Sequence, residues 1–92
     1  MNKYESVIIV NPNVDEAGLK TIEEKFTGLI NENGKVESVD NMGKKTLAYE
    51  IKKFKEGTYI VFNFESKPDS VAELERVYRI TDEIIKFIII KK

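Results

Sequence analysis

A chain of 92 residues makes one domain around a single core, and 41% hydrophobic with 34% charged residues place it among globular sequences, not disordered ones. Fifteen Lys and Arg against 16 Asp and Glu leave a net charge of -1, so any attraction to a polyanion has to come from a local patch. With neither cysteine nor histidine, the chain excludes disulfides, thiolate or imidazole metal sites, Cys-His and Ser-His nucleophile pairs and the usual neutral-pH proton shuttle.

Lys3 to Val10 reads as a first strand: Ser6-Val7-Ile8-Ile9-Val10 is β-branched and stops at the turn residues Asn11-Pro12-Asn13. The apolar run Val7 to Val10 is too short for a signal peptide, and no segment approaches the ~20 apolar residues of a membrane span. A cytoplasmic protein is expected, in keeping with the missing cysteines. From Asp15 to Asn33, Leu19, Ile22, Phe26, Leu29 and Ile30 form one stripe of a 3.6-residue period, an amphipathic helix. Asn13 or Asp15 is its expected N-cap, and Gly34 its end, in the left-handed conformation.

Lys35 to Ile51 has a turn-like break at Asp40-Asn41-Met42-Gly43, then Leu47, Tyr49 and Ile51 alternate with smaller or polar residues: a second strand, bulged or bent. Lys52 to Gly57 turns the chain. Thr58 to Phe64 follows as a third strand, with Ile60, Phe62 and Phe64 on one face and Tyr59, Val61 and Asn63 on the other. Pro68 and Asp69 open a second helix, in which Ser70 and Glu73 have capping-box spacing and Val71, Leu74, Val77 and Tyr78 form the apolar side. Asp82 breaks it, and the β-branched or aromatic run Ile84 to Ile90, interrupted only by Lys86, reads as a fourth strand.

The order β-α-β-β-α-β folds most simply as a ferredoxin-like α+β plait: a four-stranded antiparallel sheet with both helices on one face, spanning residues 1–92 as a single domain. Leu19, Ile22, Phe26, Leu74, Ile60 and Phe62 are expected in its core. The other sheet face is left uncovered.

Two features of charge and one of hydropathy bear on function. Lys44 to Lys55 holds five lysines and one glutamate, net +4, whereas Asp15 to Glu32 holds five acids and two lysines, net -3. Lysines on an edge strand can simply block edge-to-edge pairing. Placed around Tyr49, they also make a phosphate-contacting edge with an aromatic available for stacking. Lys86, Lys91 and Lys92 add positive charge to the last strand, but strands two and four are opposite sheet edges, and nothing in the sequence joins the two sets. On the uncovered face Val7, Ile9, Val61, Ile88 and Ile90 would be exposed in a monomer, which favours a protein partner or an oligomer contact over cover by the termini.

Residue types exclude several plait chemistries. A metal-carrying plait needs CxxC after strand one, and Asn11-Pro12-Asn13 stands there. A phosphate-holding arginine is missing from that loop, since the only arginines are Arg76 and Arg79 on helix two. Base stacking on the open sheet face, as in RNA recognition motifs, would have only Tyr59 to use.

Tyr4-Glu5 opening strand one, Asn11-Pro12 after it, Gly43-Lys44-Lys45-Thr46-Leu47-Ala48-Tyr49-Glu50-Ile51-Lys52, Gly57, Tyr59 and Asp82 before an aliphatic last strand together resemble the family of the sixth protein of the bacterial small ribosomal subunit. The likeness runs the length of the chain, and its most specific element is Gly-x-basic-x-Leu-Ala-Tyr-x-Ile-Lys. Thr46 and Glu50 depart from the family, many members of which carry proline at the latter position. The resemblance implies a non-enzymatic, cofactor-free and metal-free rRNA-binding protein of the ribosome. It would join the central domain of small-subunit rRNA together with the eighteenth small-subunit protein as a heterodimer. It also implies RNA contacts at Lys44, Lys45, Lys52 and Lys53 beside Tyr49, and more weakly at Lys3, Lys86 and Lys91. Part of the RNA affinity of a near-neutral chain would then come from its partner's basic surface. From the residues alone, a regulatory plait that dimerises through its sheet and binds a metabolite is the alternative; an enzyme is the weakest reading, because no nucleophile and base can be paired.

Overall fold

A computed structural model of the chain describes residues 2–92, as β1 (Asn2–Val10), α1 (Glu16–Asn31), β2 (Gly34–Ile51), β3 (Phe54–Ser66), α2 (Pro68–Ile80) and β4 (Ile84–Lys91). The four strands form one antiparallel sheet in the order β2-β3-β1-β4, which puts β2 and β4 at its edges. This is the expected ferredoxin-like plait.

Strand alternation builds the main core on one sheet face. Tyr4, Ile8 and Val10 of β1 lie beside Ile60, Phe62 and Phe64 of β3, and Ile22, Phe26 and Ile30 of α1 and Leu74 and Tyr78 of α2 close over them. Leu19 is only partly buried at the margin of this cluster. Tyr78 is the central aromatic, with ring centroids 4.7 Å from Phe26 and 5.2 Å from Phe87. Its hydroxyl pairs with that of Ser6 at 2.8 Å, so the one polar pair within this core is satisfied, and burial pushes the Tyr78 phenol well above its ordinary pKa, an effect that the Ser6 bond only partly offsets.

Local signals explain most element ends, with several departures from expectation. Asp15 is the N-cap of α1, its Oδ1 accepting from the Gly18 N–H at 2.8 Å. The helix ends at Asn31, and Gly34 is not its left-handed terminator; it is the first residue of β2. Glycine is needed there for space: a Cβ would sit 2.1 Å from the Glu65 carbonyl oxygen. Ser70 does not cap α2. Lys67 occupies the N-cap without a side-chain bond, Pro68 follows, and Glu73 is held by Arg76 instead. The expected break at Asp40 to Gly43 is a bulge inside a continuous strand: the register slips between Asn41 and Gly43, and Asn41 Oδ1 accepts from the Gly43 N–H. The turn placed over Lys52 to Gly57 shrinks to Lys52-Lys53, because Ile51 already pairs with Phe54.

Candidate nucleic-acid and partner interface

β3 pairs with β1 only as far as Thr58, whereas its pairing with β2 runs on through Lys45, Thr46 and Ile51. Residues 45–57 therefore leave the sheet as a two-stranded arm. A lone ribbon is marginal in water, and this one is anchored. Between the pairs Thr46–Glu56 and Ile51–Phe54, four residues, Leu47 to Glu50, stand opposite the single residue Lys55. The surplus bends the arm back over the face opposite the helices, where Leu47 packs with Ile9 and Ile85 into a second, smaller cluster flanked by Ile51, Phe54 and Tyr59. Gly57 permits this: a Cβ there would lie 2.4 Å from Ile9 Cγ2.

The arm changes the open face. Ile9, expected to be exposed, is only 7% exposed, because Leu47 covers it. Register places Val61, Val7 and Ile88 side by side across β3, β1 and β4, with Ile90 two pairs further along opposite Glu5. Val7 and Val61 are half-buried by these neighbours, while Ile88 and Ile90 are 47% and 50% exposed. Between this strip and the arm runs a groove of about 160 Å³ lined by Val7, Leu47, Tyr49, Tyr59 and Ile88 among others. That is below the ~300 Å³ at which small-molecule sites usually begin, so this groove does not favour the metabolite-binding alternative.

The same bend gathers the cations. Lys44 and Lys45 lie at the base of the arm and Lys52 and Lys53 at its tip, all exposed. Tyr49, 68% exposed, receives Lys86 of β4 over its ring, Nζ lying 5.8 Å from the centroid. Two lysine groups left unconnected by the sequence are thus joined: Lys52 and Lys86 also line one depression at the β4 edge. Lys3 and Lys91 are not part of this assembly. They lie near the far end of β1 and β4, six residues from Ile9 and five from Lys86, about 17 to 20 Å of strand. Among the described residues the ion pairs are Arg76–Glu73 and Arg79–Glu75, both on α2, so none of the arm lysines is in an ion pair. The Arg76 hydrogen bond holds the Glu73 carboxyl below its usual range. No cluster of metal-binding side chains occurs among the described residues.

Two contributors were not singled out from sequence: Leu47, whose burial sets the course of the arm, and Arg79, which shares the depression with Lys52 and Lys86. Only the alternation Leu47, Tyr49, Ile51 hinted at the first.

The family described as "Ribosomal protein S6" matches residues 3–91. The small ribosomal subunit protein bS6 of Clostridium acetobutylicum is 52% identical over 91 residues, 98% of this chain and 96% of that one. Its counterpart in Symbiobacterium thermophilum is 49% identical over 92 residues, covering 99% and 97%. The crystal structure of the 30S ribosomal protein S6 of Thermotoga maritima superposes with a TM-score of 0.93 at 40% identity, covering 99% of this chain and 87% of that one. An Arabidopsis thaliana protein, 14% identical with a TM-score of 0.58 over 100% of this chain and 93% of its own, shares the fold alone.

Proposed function

The chain belongs to the ribosomal protein S6 family, whose members are structural, non-enzymatic constituents of the small ribosomal subunit, and from that premise we propose that it binds the central domain of small-subunit rRNA together with the eighteenth small-subunit protein as a heterodimer. It works in the cytoplasm, within the ribosome. No helix among the described residues is long and apolar enough to cross a membrane.

The observation that carries the RNA half is the arm with its base: Lys44 to Lys55 holds five lysines and one glutamate, free of ion pairs and bent back so that Lys52, Tyr49 and Lys86 come to one side of the molecule. Lysine is a flexible point charge suited to positioning a phosphate backbone without reading bases. Lys44, Lys45, Lys52, Lys53 and Lys86 contact phosphates in this reading, and Tyr49 offers its exposed ring to a base or sugar. Lys3 and Lys91, at the far end, make a separate and lesser contact. The acidic face of α1 points elsewhere, so the near-neutral total charge conceals a directed one.

The partner half rests on Val7, Val61, Ile88 and Ile90, with Ile9 contributing as the floor beneath Leu47 and not as an exposed contact. The protein, presented with the eighteenth protein, should bind a central-domain RNA fragment in preference to fragments of other domains. Replacing Lys44 and Lys45 by alanine should weaken that binding and reduce the slope of log affinity against log salt by about 0.7 to 0.9 for each phosphate no longer neutralised. Unchanged affinity and slope would return these lysines to the role of guarding a sheet edge.

A further inference from the structure

At the outer edge of β4, beside the tip of the arm, lies a depression of about 240 Å³ lined by Lys52, Tyr78, Arg79, Ile84, Ile85, Lys86 and Phe87. Three cations from three elements meet there: the arm tip, the last turn of α2 and β4. A β-bulge helps to build the site, since the register between β1 and β4 slips between Ile9 and Val10 and sets Ile85 and Lys86 beside one another opposite Ile9. Arg79 leans on Phe87, its guanidinium carbon 5.9 Å from the ring centroid. Its pairing with Glu75 is an exposed contact at 3.3 Å, which uses one of five N–H donors and leaves the fork available. Asp82 and Glu83, in the turn before β4, are exposed and do not line the depression.

A second observation is independent of charge counting. Lys52 and Lys53 both have positive φ, 50° and 71°. A two-residue hairpin loop of this kind favours Asn-Gly, because L side chains are crowded in the left-handed region. The chain nonetheless puts lysine at both positions, which is the kind of local cost that functional sites carry.

We propose that Lys52, Arg79 and Lys86 together hold a single backbone phosphate of RNA, with Arg79, a residue outside the family-like basic segment, supplying the bidentate fork. The inference rests on the RNA-binding reading above and makes it local. Arginine matches the geometry of a phosphodiester, while the two lysines add charge from either side. The apolar floor of Ile84, Ile85 and Phe87 is a low-dielectric wall beneath the three cations, which concentrates their field.

The test is the salt dependence of binding to purified small-subunit rRNA, with the protein presented alongside its partner, for wild type, Arg79→Gln, Arg79→Lys and the triple variant Lys52→Gln/Arg79→Gln/Lys86→Gln. All three side chains are exposed, so folding should persist, and the thermal midpoint checks that it does. Arg79→Gln should weaken binding roughly tenfold and Arg79→Lys less. The triple variant should lower the salt slope by about 0.7 to 0.9, the amount for one phosphate, and not by three times that amount. A threefold larger drop in slope would show three independent phosphates and overturn the shared site, as would full affinity and slope in Arg79→Gln. If the triple variant keeps RNA affinity but loses affinity for the protein partner, the depression holds an acidic protein surface and the inference fails while the RNA-binding reading stands. Wild-type protein that does not bind the RNA at all would overturn both.

Discussion

Leu47→Ala probes the device that brings the arm over the sheet. Leu47 is 8% exposed, and the cluster that anchors the arm consists of this side chain with Ile9 and Ile85. Burying a leucine contributes about 1.5 to 3 kcal/mol, and truncation to alanine removes most of that and leaves a void against Ile9. The cluster lies near the surface and can relax, so the lower part of the usual range applies, about 2 kcal/mol. If docking of the arm bears the whole loss, the equilibrium between docked and detached arm shifts by about 30-fold. The main core, built on the other sheet face, is untouched. Native-state hydrogen exchange should therefore show amides of residues 45–57 losing protection by that factor while those of β1 and the centre of β3 change little. RNA affinity should fall as well, because Lys52 leaves the neighbourhood of Lys86. Equal loss of protection throughout the sheet would mean that the arm and the core unfold as one unit, and unchanged protection in the arm would refute the anchoring role of Leu47.

Other consequences can be measured separately. Leu74→Ala, at 3% exposure in the main core, should cost roughly 2 to 5 kcal/mol by denaturant titration, and a loss under about half a unit would place the side chain outside the core. Tyr78→Phe strands the Ser6 hydroxyl and should cost about 1 to 3 kcal/mol, most of which Ser6→Ala in the same chain should restore; additive losses would contradict the pairing. Because burial raises the Tyr78 pKa in the folded state, the unfolded chain gives up this proton first. Its contribution is complete below the ordinary tyrosine pKa of about 10 and is lost as pH rises above it, so Tyr78→Phe should lessen the alkaline loss of stability, and an identical pH profile would count against a buried phenol. Ile88→Lys should keep the far-UV circular dichroism and thermal midpoint but lose affinity for the eighteenth protein in calorimetry; normal binding, with damage instead from a substitution at Ala48, would move the partner from the sheet face to the β2 edge.

The elements that could be read from sequence are those whose burial follows a local period. The stripe Ile22, Phe26, Ile30 and the alternation Ile60, Phe62, Phe64 each name the side that meets the core, and the chain order then leaves few sheet topologies. Signals that a tertiary neighbour can override were misleading. Gly34 carried the mark of a helix end, yet the requirement there is steric and comes from β3, 31 residues away at Glu65. Asp40 to Gly43 looked like a break because turn residues also make bulges, and Ser70 had capping-box spacing one turn too late, since the helix had already begun at Pro68. The candidate site was half legible. Charge along the arm is a property of adjacent residues, whereas the meeting of Lys52 with Arg79 and Lys86 depends on a bend produced by unequal strand lengths, and the burial of Ile9 depends on the same bend.

The central claim, that this chain is a structural part of the small ribosomal subunit held to RNA by its basic arm, is tested most directly by sedimentation of cell extract at moderate and at high salt. Wild-type protein should travel with small subunits at moderate salt, and the triple variant of Lys52, Arg79 and Lys86 should be released at lower salt than wild type. A wild-type protein that sediments free of ribosomal particles at moderate salt would contradict the claim.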